Sequence, residues 1–275
     1  LPPAFLNASF EPLPPFQGDT VVVKVNAQPG YSISGRLGDY ELHFFPWKEQ
    51  SWVALQGLHA MLEPGVYPLH LEARSGSDVQ LLEQGVLIRD AGYPDDPIIY
   101  VKDQTTIDPA VMDAEWQQVL QIVAPVTPDR LWDGVFQSPA ALFPDPNCFT
   151  SRFGNRREYR AQNSEQAVLY SFHSGLDFCG GSGLSIVAPA NGKVVFSGLL
   201  AVRGNATFID HGWGVYSGYF HQAVTYVKAG DMVAPGQVIG AVGDTGRVTG
   251  AHLHWEIWVN GVQVNPLRWL EKRFP

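Results

Sequence analysis

No apolar run in this 275-residue chain approaches the ~18 residues that a membrane-spanning helix needs, so no membrane span is expected in it. Positive charge is scarce: 18 Lys and Arg stand against 27 Asp and Glu, a net charge of −9. Nucleic acid has no reason to bind, because neutralising phosphates takes clustered Lys and Arg. Cysteine is rarer still, with Cys148 and Cys179 alone. The two either form one disulfide, as an oxidising compartment allows, or remain buried thiols, and their number does not decide between these. The chain opens at Leu1 without methionine or a basic-then-apolar leader, and the expectation is a mature or trimmed form whose export signal has been removed. Internal repeats and low-complexity stretches are missing. So are an HExxH helix and a Gly-x-Ser-x-Gly nucleophile elbow. The run Gly180-Gly-Ser-Gly183 lacks the Lys-Ser/Thr ending of a phosphate loop and reads as a turn.

What the chain does have is turn chemistry and β-forming residues. Its 28 glycines and 21 prolines, with many Val, Tyr and Trp, predict an all-β protein rich in turns. Residues 1–100 are expected to form an immunoglobulin-like β-sandwich. Val21, Val23 and Val25 alternate with Val22, Lys24 and Asn26 at strand period, and further strands are expected around Glu41–Phe45, Trp52–Leu55, Val66–Ala73 and Gln84–Ile88. Pro68, inside one of these, predicts an edge or bulged strand. Residues 101–130 read as a short helical linker. Asp108 caps it, Pro109 takes its first position, and Met112, Trp116, Val119, Leu120 and Val123 form its apolar stripe, which is expected to pack where the two domains meet. Residues 131–275 return to short strands, with Asn191-Gly192 predicting a hairpin between Ile186-Val187 and Val194–Phe196.

Three segments of this last part concentrate chemistry: His173-Ser-Gly-Leu-Asp177, Tyr219-Phe220-His221 and His252-Leu253-His254. Two His and one Asp can hold a zinc ion and leave its fourth position to water, as catalytic zinc sites do. Histidines left over are free to move protons or to stabilise developing charge. If extended, His173 and Asp177 share a face with Gly175 between them, and so do His252 and His254, with Leu253, Trp255, Ile257 and Val259 turned toward a core. His43, His59 and His70 are given no catalytic role, and His211 is expected to hold a turn or to support a ligand. Glu256 shares the His254 face and either orients a ligand or is an exposed edge carboxylate.

From Ser151 to Leu270 the chain resembles the catalytic domain of the lysostaphin-type (LytM-like) zinc metallopeptidases. The matching stretches are Ser151-Arg-Phe-Gly154, His173-Ser-Gly-Leu-Asp-Phe178, Ala188-Pro-Ala-Asn-Gly192, Ile209-Asp-His-Gly212, Tyr219-Phe-His221, Gly240-Ala-Val-Gly-Asp-Thr-Gly246 and Thr249-Gly-Ala-His-Leu-His-Trp-Glu256, in the family's order. The resemblance implies an antiparallel β-sheet with a groove at a metal site. It makes His173, Asp177 and His254 the ligands of Zn2+, and His221 and His252 the catalytic histidines. Departures occur at Cys179-Gly180-Gly181, after the ligand Asp, and at Gln222, after His221. Both are expected to touch the shape of the groove and not the metal set.

The same resemblance implies an endopeptidase of bacterial peptidoglycan, cutting cross-bridge or stem peptides by a metal-activated water, outside the cytoplasm. It also admits a catalytically silent member that binds wall peptide or activates an amidase, and an extracellular protease of glycine-rich proteins. The N-terminal domain can position the groove, occlude it by intramolecular contact, or bind the wall.

Overall fold

Alternation at Val21, Val23 and Val25 has the outcome that a half-buried strand requires, since all three side chains lie at 0% exposure. The computed structural model describes residues 3–48, 50–101, 108–161 and 169–275, and the chain divides into two compact units, Leu1–Ala91 and Gly92–Phe274. The first unit holds β1 (Phe5–Glu11), β2 (Thr20–Ala27), β3 (Ser32–Leu37), β4 (Tyr40–Glu41), β5 (Phe45–Pro46), β6 (Ser51–Gly57), β7 (Gly65–Ser75) and β8 (Asp78–Ile88). They form two antiparallel sheets ordered β1-β2-β6-β5 and β4-β3-β7-β8. That is the order of an immunoglobulin-type sandwich with an extra short strand beside β3. The two inner faces share one core that includes Val21, Val23, Leu37, Ala54, Leu71 and Val86.

Two expectations change here. The stretch Glu41–Phe45 is not one strand: β4 and β5 belong to different sheets, and residues 42–44 carry the chain across between them. Strand β7 is interior, bonded to both β3 and β8, although it contains Pro68. The ladder to β3 ends at the pair Leu37–Leu69, and Pro68 O accepts from the turn amide of Gly38 at 2.8 Å. The missing proline N–H therefore points where β3 has already ended, so no ladder bond is lost.

The second unit begins at Gly92, earlier than the expected boundary at residue 100. The reason is pairing: β9 (Ile99–Val101) runs parallel to β11 (Arg156–Ala161), which in turn pairs with β12 (Leu169–Phe172). Helix α1 (Pro109–Val123) follows, with the Asp108 carboxylate accepting from Ala110 N and Val111 N as an N-cap should. It packs on this same unit: Val119 and Val123 enter a core with Phe208, Tyr216, Phe220 and Trp258, and Trp116 stacks on Trp258 at 5.5 Å.

The large sheet contains β10 (Phe149–Ser151), β13 (Leu176–Phe178), β14 (Ser185–Val187), β15 (Gly192–Leu200), β16 (Gly204–Gly212), β17 (Val215–Thr225), β18 (Met232–Val233), β19 (Val238–Val242), β20 (Leu253–Val259) and β21 (Val262–Val264). Its main path is β10-β13-β20-β17-β16-β15-β18, all antiparallel. A short helix α2 (Pro266–Glu271), capped by Asn265, was not anticipated. Nor is Asn191-Gly192 a hairpin turn, because β14 pairs with β19 while β15 pairs with β16 and β18. Gly192 serves close packing instead: a Cβ there would sit 2.3 Å from Ile209 and 2.8 Å from Asp210 O. Cys148 and Cys179 form a disulfide with Cα atoms 5.3 Å apart, which settles the alternative that composition left open.

Candidate metal centre

Strand β20 runs between β13 and β17, and its register builds the site. Asp177 is directly opposite His254 on one side and Phe220 is opposite it on the other. Opposed residues of an antiparallel pair share a face, so the carboxylate and the imidazole meet by construction. The His254 ring stacks on Phe220 at 5.6 Å. His173 arrives differently from the extended segment expected. Strand β12 ends at Phe172 and β13 begins at Leu176, so residues 173–175 form a bend that brings His173 back toward Asp177. Gly175 in that bend makes room for β20: a Cβ would meet Trp255 O at 2.3 Å and His254 Nε2 at 2.9 Å.

Three potential ligand atoms converge. His173 Nε2 is 2.9 Å from Asp177 Oδ1 and 3.0 Å from His254 Nδ1, and His254 Nδ1 is 2.6 Å from the same carboxylate oxygen. Ligands bonded tetrahedrally to zinc at about 2.0–2.1 Å are about 3.3 Å apart, so the trio has only to spread outward by a few tenths of an ångström to take an ion in that geometry. The outer nitrogens are already committed. His173 Nδ1 lies 2.8 Å from Arg152 O and 3.1 Å from Ser151 Oγ, and His254 Nε2 lies 3.2 Å from Glu256 Oε1. A carbonyl and a carboxylate accept from those N–H groups, which turns both bare lone pairs toward Asp177. Two facing lone pairs beside a carboxylate are repulsive unless a cation stands among them, and the donor set suits zinc. Among the described residues, this trio is the group of His, Cys, Asp or Glu side chains close enough to share an ion.

Charge around the trio has the same sense. Burial opposes ionisation of Asp177, yet the rings of His173 and His254 outweigh it and hold its carboxyl well below the usual range. Burial lowers the proton affinity of His254, but Asp177 and Glu256 prevail and raise it above the ordinary value. His173, also buried, is lowered. Glu256, at 1% exposure, is no edge carboxylate. Burial alone would raise it, and Arg203 with His254 and Ser174 brings it down to about 2. It accepts from Ser174 Oγ at 2.6 Å and, through its other oxygen, from Trp258 Nε1 at 2.8 Å. Both faces of β20 are therefore covered, His254 and Glu256 included, because α1 closes over the Trp258 end.

The remaining two histidines stand beside the trio. His252 precedes β20, donates from Nδ1 to Gly250 O at 2.8 Å, and places Nε2 3.5 Å from Asp177 Oδ1. The His221 ring is 5.1 Å from that of His252 and 6.0 Å from that of His254. Its backbone is left-handed at φ 59°, at a bulge where the β16–β17 register shifts between Asn205 and Thr207. In a regular strand His221 would face away from its neighbour Phe220. The bulge restores it to the same side. His221 Nδ1 donates to Thr245 O at 2.8 Å, which leaves Nε2 bare. Burial, with His252 and His254 nearby, holds its pKa well below the ordinary value, so the ring is neutral at pH 7. All five side chains singled out from the sequence thus lie together.

His211 does not join them: its nitrogens are engaged by Asn191 O at 2.8 Å and Ser217 Oγ at 2.7 Å. Gln222 does not face a groove either. Its side chain is buried and donates to Thr207 Oγ1 at 2.9 Å and Tyr219 O at 3.0 Å, bracing the bulge that turns His221. Two arginines escaped the sequence reading. Arg157 places Nη2 3.3 Å from Asp177 Oδ2, and Arg203 places Nη2 3.5 Å from Glu256 Oε1. Burial works against the Arg157 cation, but Tyr159, Asp177 and Asp96 more than compensate and raise its pKa.

Comparison with known proteins agrees with this geometry. The family described as peptidase family M23 matches residues 171–266. The chain is 41% identical over 98 residues to DD-carboxypeptidase/endopeptidase Mpg of Neisseria meningitidis serogroup B, which covers 36% of this chain and 23% of that protein. It is 38% identical over 117 residues to peptidoglycan DD-endopeptidase ShyC of Vibrio cholerae, covering 42% and 26% respectively. The matched region thus spans about a quarter of the length of these curated relatives. A crystal structure of a putative peptidase M23 from Pseudomonas aeruginosa aligns over 93% of this chain and 94% of its own, with a TM-score of 0.67 at 25% identity. Residues 171–266 are a peptidase M23 domain.

Proposed function

We propose that this chain, through its peptidase M23 domain, is a zinc-dependent endopeptidase that hydrolyses peptide bonds of bacterial peptidoglycan outside the cytoplasm. The observation that carries the reading is the convergence of His173 Nε2, Asp177 Oδ1 and His254 Nδ1 within 3.0 Å of one another, with both outer imidazole nitrogens engaged. Those three side chains would hold the ion. Zinc, when bound, supplies a Lewis acid for the scissile carbonyl and makes solvent acidic enough to attack near neutral pH.

The rest is done by the chain's own groups. His221 and His252 each place Nε2 beside the trio: one, as a bare nitrogen, is able to take a proton from the attacking water, and the other, when its Nε2 carries a proton, to steady the developing oxyanion or give that proton to the leaving amine. Relatives named for DD-endopeptidase activity support wall peptide as the substrate. The disulfide supports an oxidising, extracytoplasmic setting. Among the described residues no helix is long and apolar enough to cross a membrane.

The test is to incubate the zinc-loaded protein with purified peptidoglycan and assay for new amino termini. Their release, abolished by a chelator and restored by zinc, is expected. Wall that stays uncleaved while the protein is zinc-loaded and folded would overturn the reading.

A further inference from the structure

An arginine stands behind each metal-facing residue of the large sheet, Arg157 directly at Asp177 and Arg203 by way of Glu256 at His254, and each arginine is held in turn by a carboxylate that lies outside the matched region 171–266. On one side, Arg157 touches Asp177 Oδ2 at 3.3 Å through Nη2 and Asp96 Oδ2 at 3.0 Å through Nε. The same Nη2 reaches Ser151 Oγ at 2.8 Å, and that hydroxyl is 3.1 Å from His173 Nδ1. Asp96 is itself fixed: its Oδ1 accepts from Asn155 Nδ2 at 2.7 Å and its amide donates to Arg156 O at 2.8 Å.

On the other side, Glu115 of α1 is buried at 5% exposure and its Oε1 accepts from Arg203 Nη1 at 2.9 Å. Its Oε2 accepts from the amide of Val202. Arg203 Nη2 lies 3.5 Å from Glu256 Oε1, and that oxygen holds His254 Nε2 at 3.2 Å. The Arg203 carbonyl also accepts from the His221 amide at 2.9 Å, so fixing residues 202–203 fixes the bulge.

We propose that Asp96 and Glu115, which belong to the second unit but lie outside residues 171–266, are positioning residues that set the geometry of the metal-ligating trio, resting on the reading above that the trio holds zinc. The physical reason is competition for a guanidinium. An arginine offers several N–H groups in a rigid fork and takes carboxylates two at a time. With Asp96 occupying the Nε edge, Arg157 gives Asp177 one long contact at Oδ2 and leaves Oδ1 to face the imidazoles. Without Asp96 the fork is free to close on Asp177 alone and turn Oδ1 away. With Glu115 in place, Arg203 leaves Glu256 available to accept the His254 Nε2–H and so to keep Nδ1 bare. Without it, Arg203 draws Glu256 onto itself and the tautomer of His254 is no longer imposed. Groups standing behind metal ligands typically contribute 10–100-fold in metal affinity.

The test uses the full chain and four variants: Asp96→Asn, Glu115→Gln, the double variant Glu115→Gln/Arg203→Gln, and Asp113→Asn. The last removes an exposed carboxylate from the same helix. Zinc affinity is measured by competition with a chromophoric chelator, alongside thermal unfolding of the zinc-free proteins. The expected result is zinc binding weakened about tenfold or more by Asp96→Asn and by Glu115→Gln, with Asp113→Asn like the parent. Should Glu115→Gln fail to fold, the double variant, which deletes the buried charge pair together, is expected to fold and to bind zinc more tightly than Asp96→Asn, because no guanidinium is left to draw Glu256 off His254. Binding as weak as that of Asp96→Asn would overturn the Glu115 part of the proposal. A fall in zinc-free stability with zinc affinity unchanged would mean a merely structural role and would overturn the proposal. A parent protein that binds no zinc would overturn the functional reading as well, whereas equal binding by parent and variants overturns this inference alone.

Discussion

His173 Nε2 and His254 Nδ1 face each other across 3.0 Å, each with its ring's second nitrogen already engaged, by Arg152 O and by Glu256. On the proposed reading the pair holds the cation and the two histidines beside it serve the reaction. His254→Ala is therefore expected to lose zinc, as total metal analysis of dialysed protein would show. His221→Ala is expected to keep zinc while peptidoglycan cleavage falls about 100-fold or more, the scale of one proton-transfer group. Equal zinc loss in both variants would contradict the division of roles.

The left-handed backbone of His221, at φ 59°, gives a second expectation. A side chain there costs about 1 kcal/mol that glycine does not pay. Both His221→Gly and His221→Ala lack the imidazole and should be inactive, but the glycine variant should be the more stable by about 1 kcal/mol in urea unfolding of zinc-free protein. Alanine proving the more stable would mean that the bulge relaxes in solution.

Acid sensitivity follows from His211, whose pKa burial lowers to about 4. The folded ring stays neutral as pH falls, while the unfolded ring takes up a proton below about 6.5. Stability from this group is therefore complete above pH 6.5 and is lost as pH drops to 4, about 3 kcal/mol in all. Buried His221 acts with the same sign. Replacing His211 with Gln should flatten the slope of unfolding free energy against pH across that window. A slope identical to the parent's would show that His211 takes up no proton on unfolding there.

Two glycines near the site should differ sharply. A methyl group at Gly175 meets the Trp255 carbonyl at 2.3 Å, which is backbone and cannot swing aside, whereas nothing lies within 4 Å of one at Gly250. Gly175→Ala is expected to cost about 1–3 kcal/mol and to weaken zinc binding, because β13 must move off β20. Gly250→Ala should be close to neutral. Comparable unfolding midpoints would refute the tight packing of the bend on β20.

What was legible in the sequence was chemistry carried by short motifs and structure carried by local period. His173, Asp177, His221, His252 and His254 could be named because strand alternation and the family-like motifs hold them in short words, and α1 could be drawn from Asp108 and its stripe. Arg157, Arg203, Asp96 and Glu115 could not. Their partners are 61 and 88 residues apart in the two carboxylate–arginine pairs, and no local pattern joins them. The segment 173–175 reads as extended in sequence, where that conformation puts His173 and Asp177 on one face, while in the fold it bends and Gly175 admits the backbone of β20. Asn191-Gly192 misled for a related reason: the glycine is required by the closeness of Ile209, not by a turn. The bulge at His221 had no glycine to announce it.

The most direct test of the central claim is a crystal structure of the zinc-loaded protein with anomalous scattering measured at the zinc edge. The account predicts one ion per chain, bonded at about 2.0–2.1 Å to His173 Nε2, Asp177 Oδ1 and His254 Nδ1. An ion held by His221 or His252 in place of any of these, or none at all in protein prepared with zinc, would contradict it.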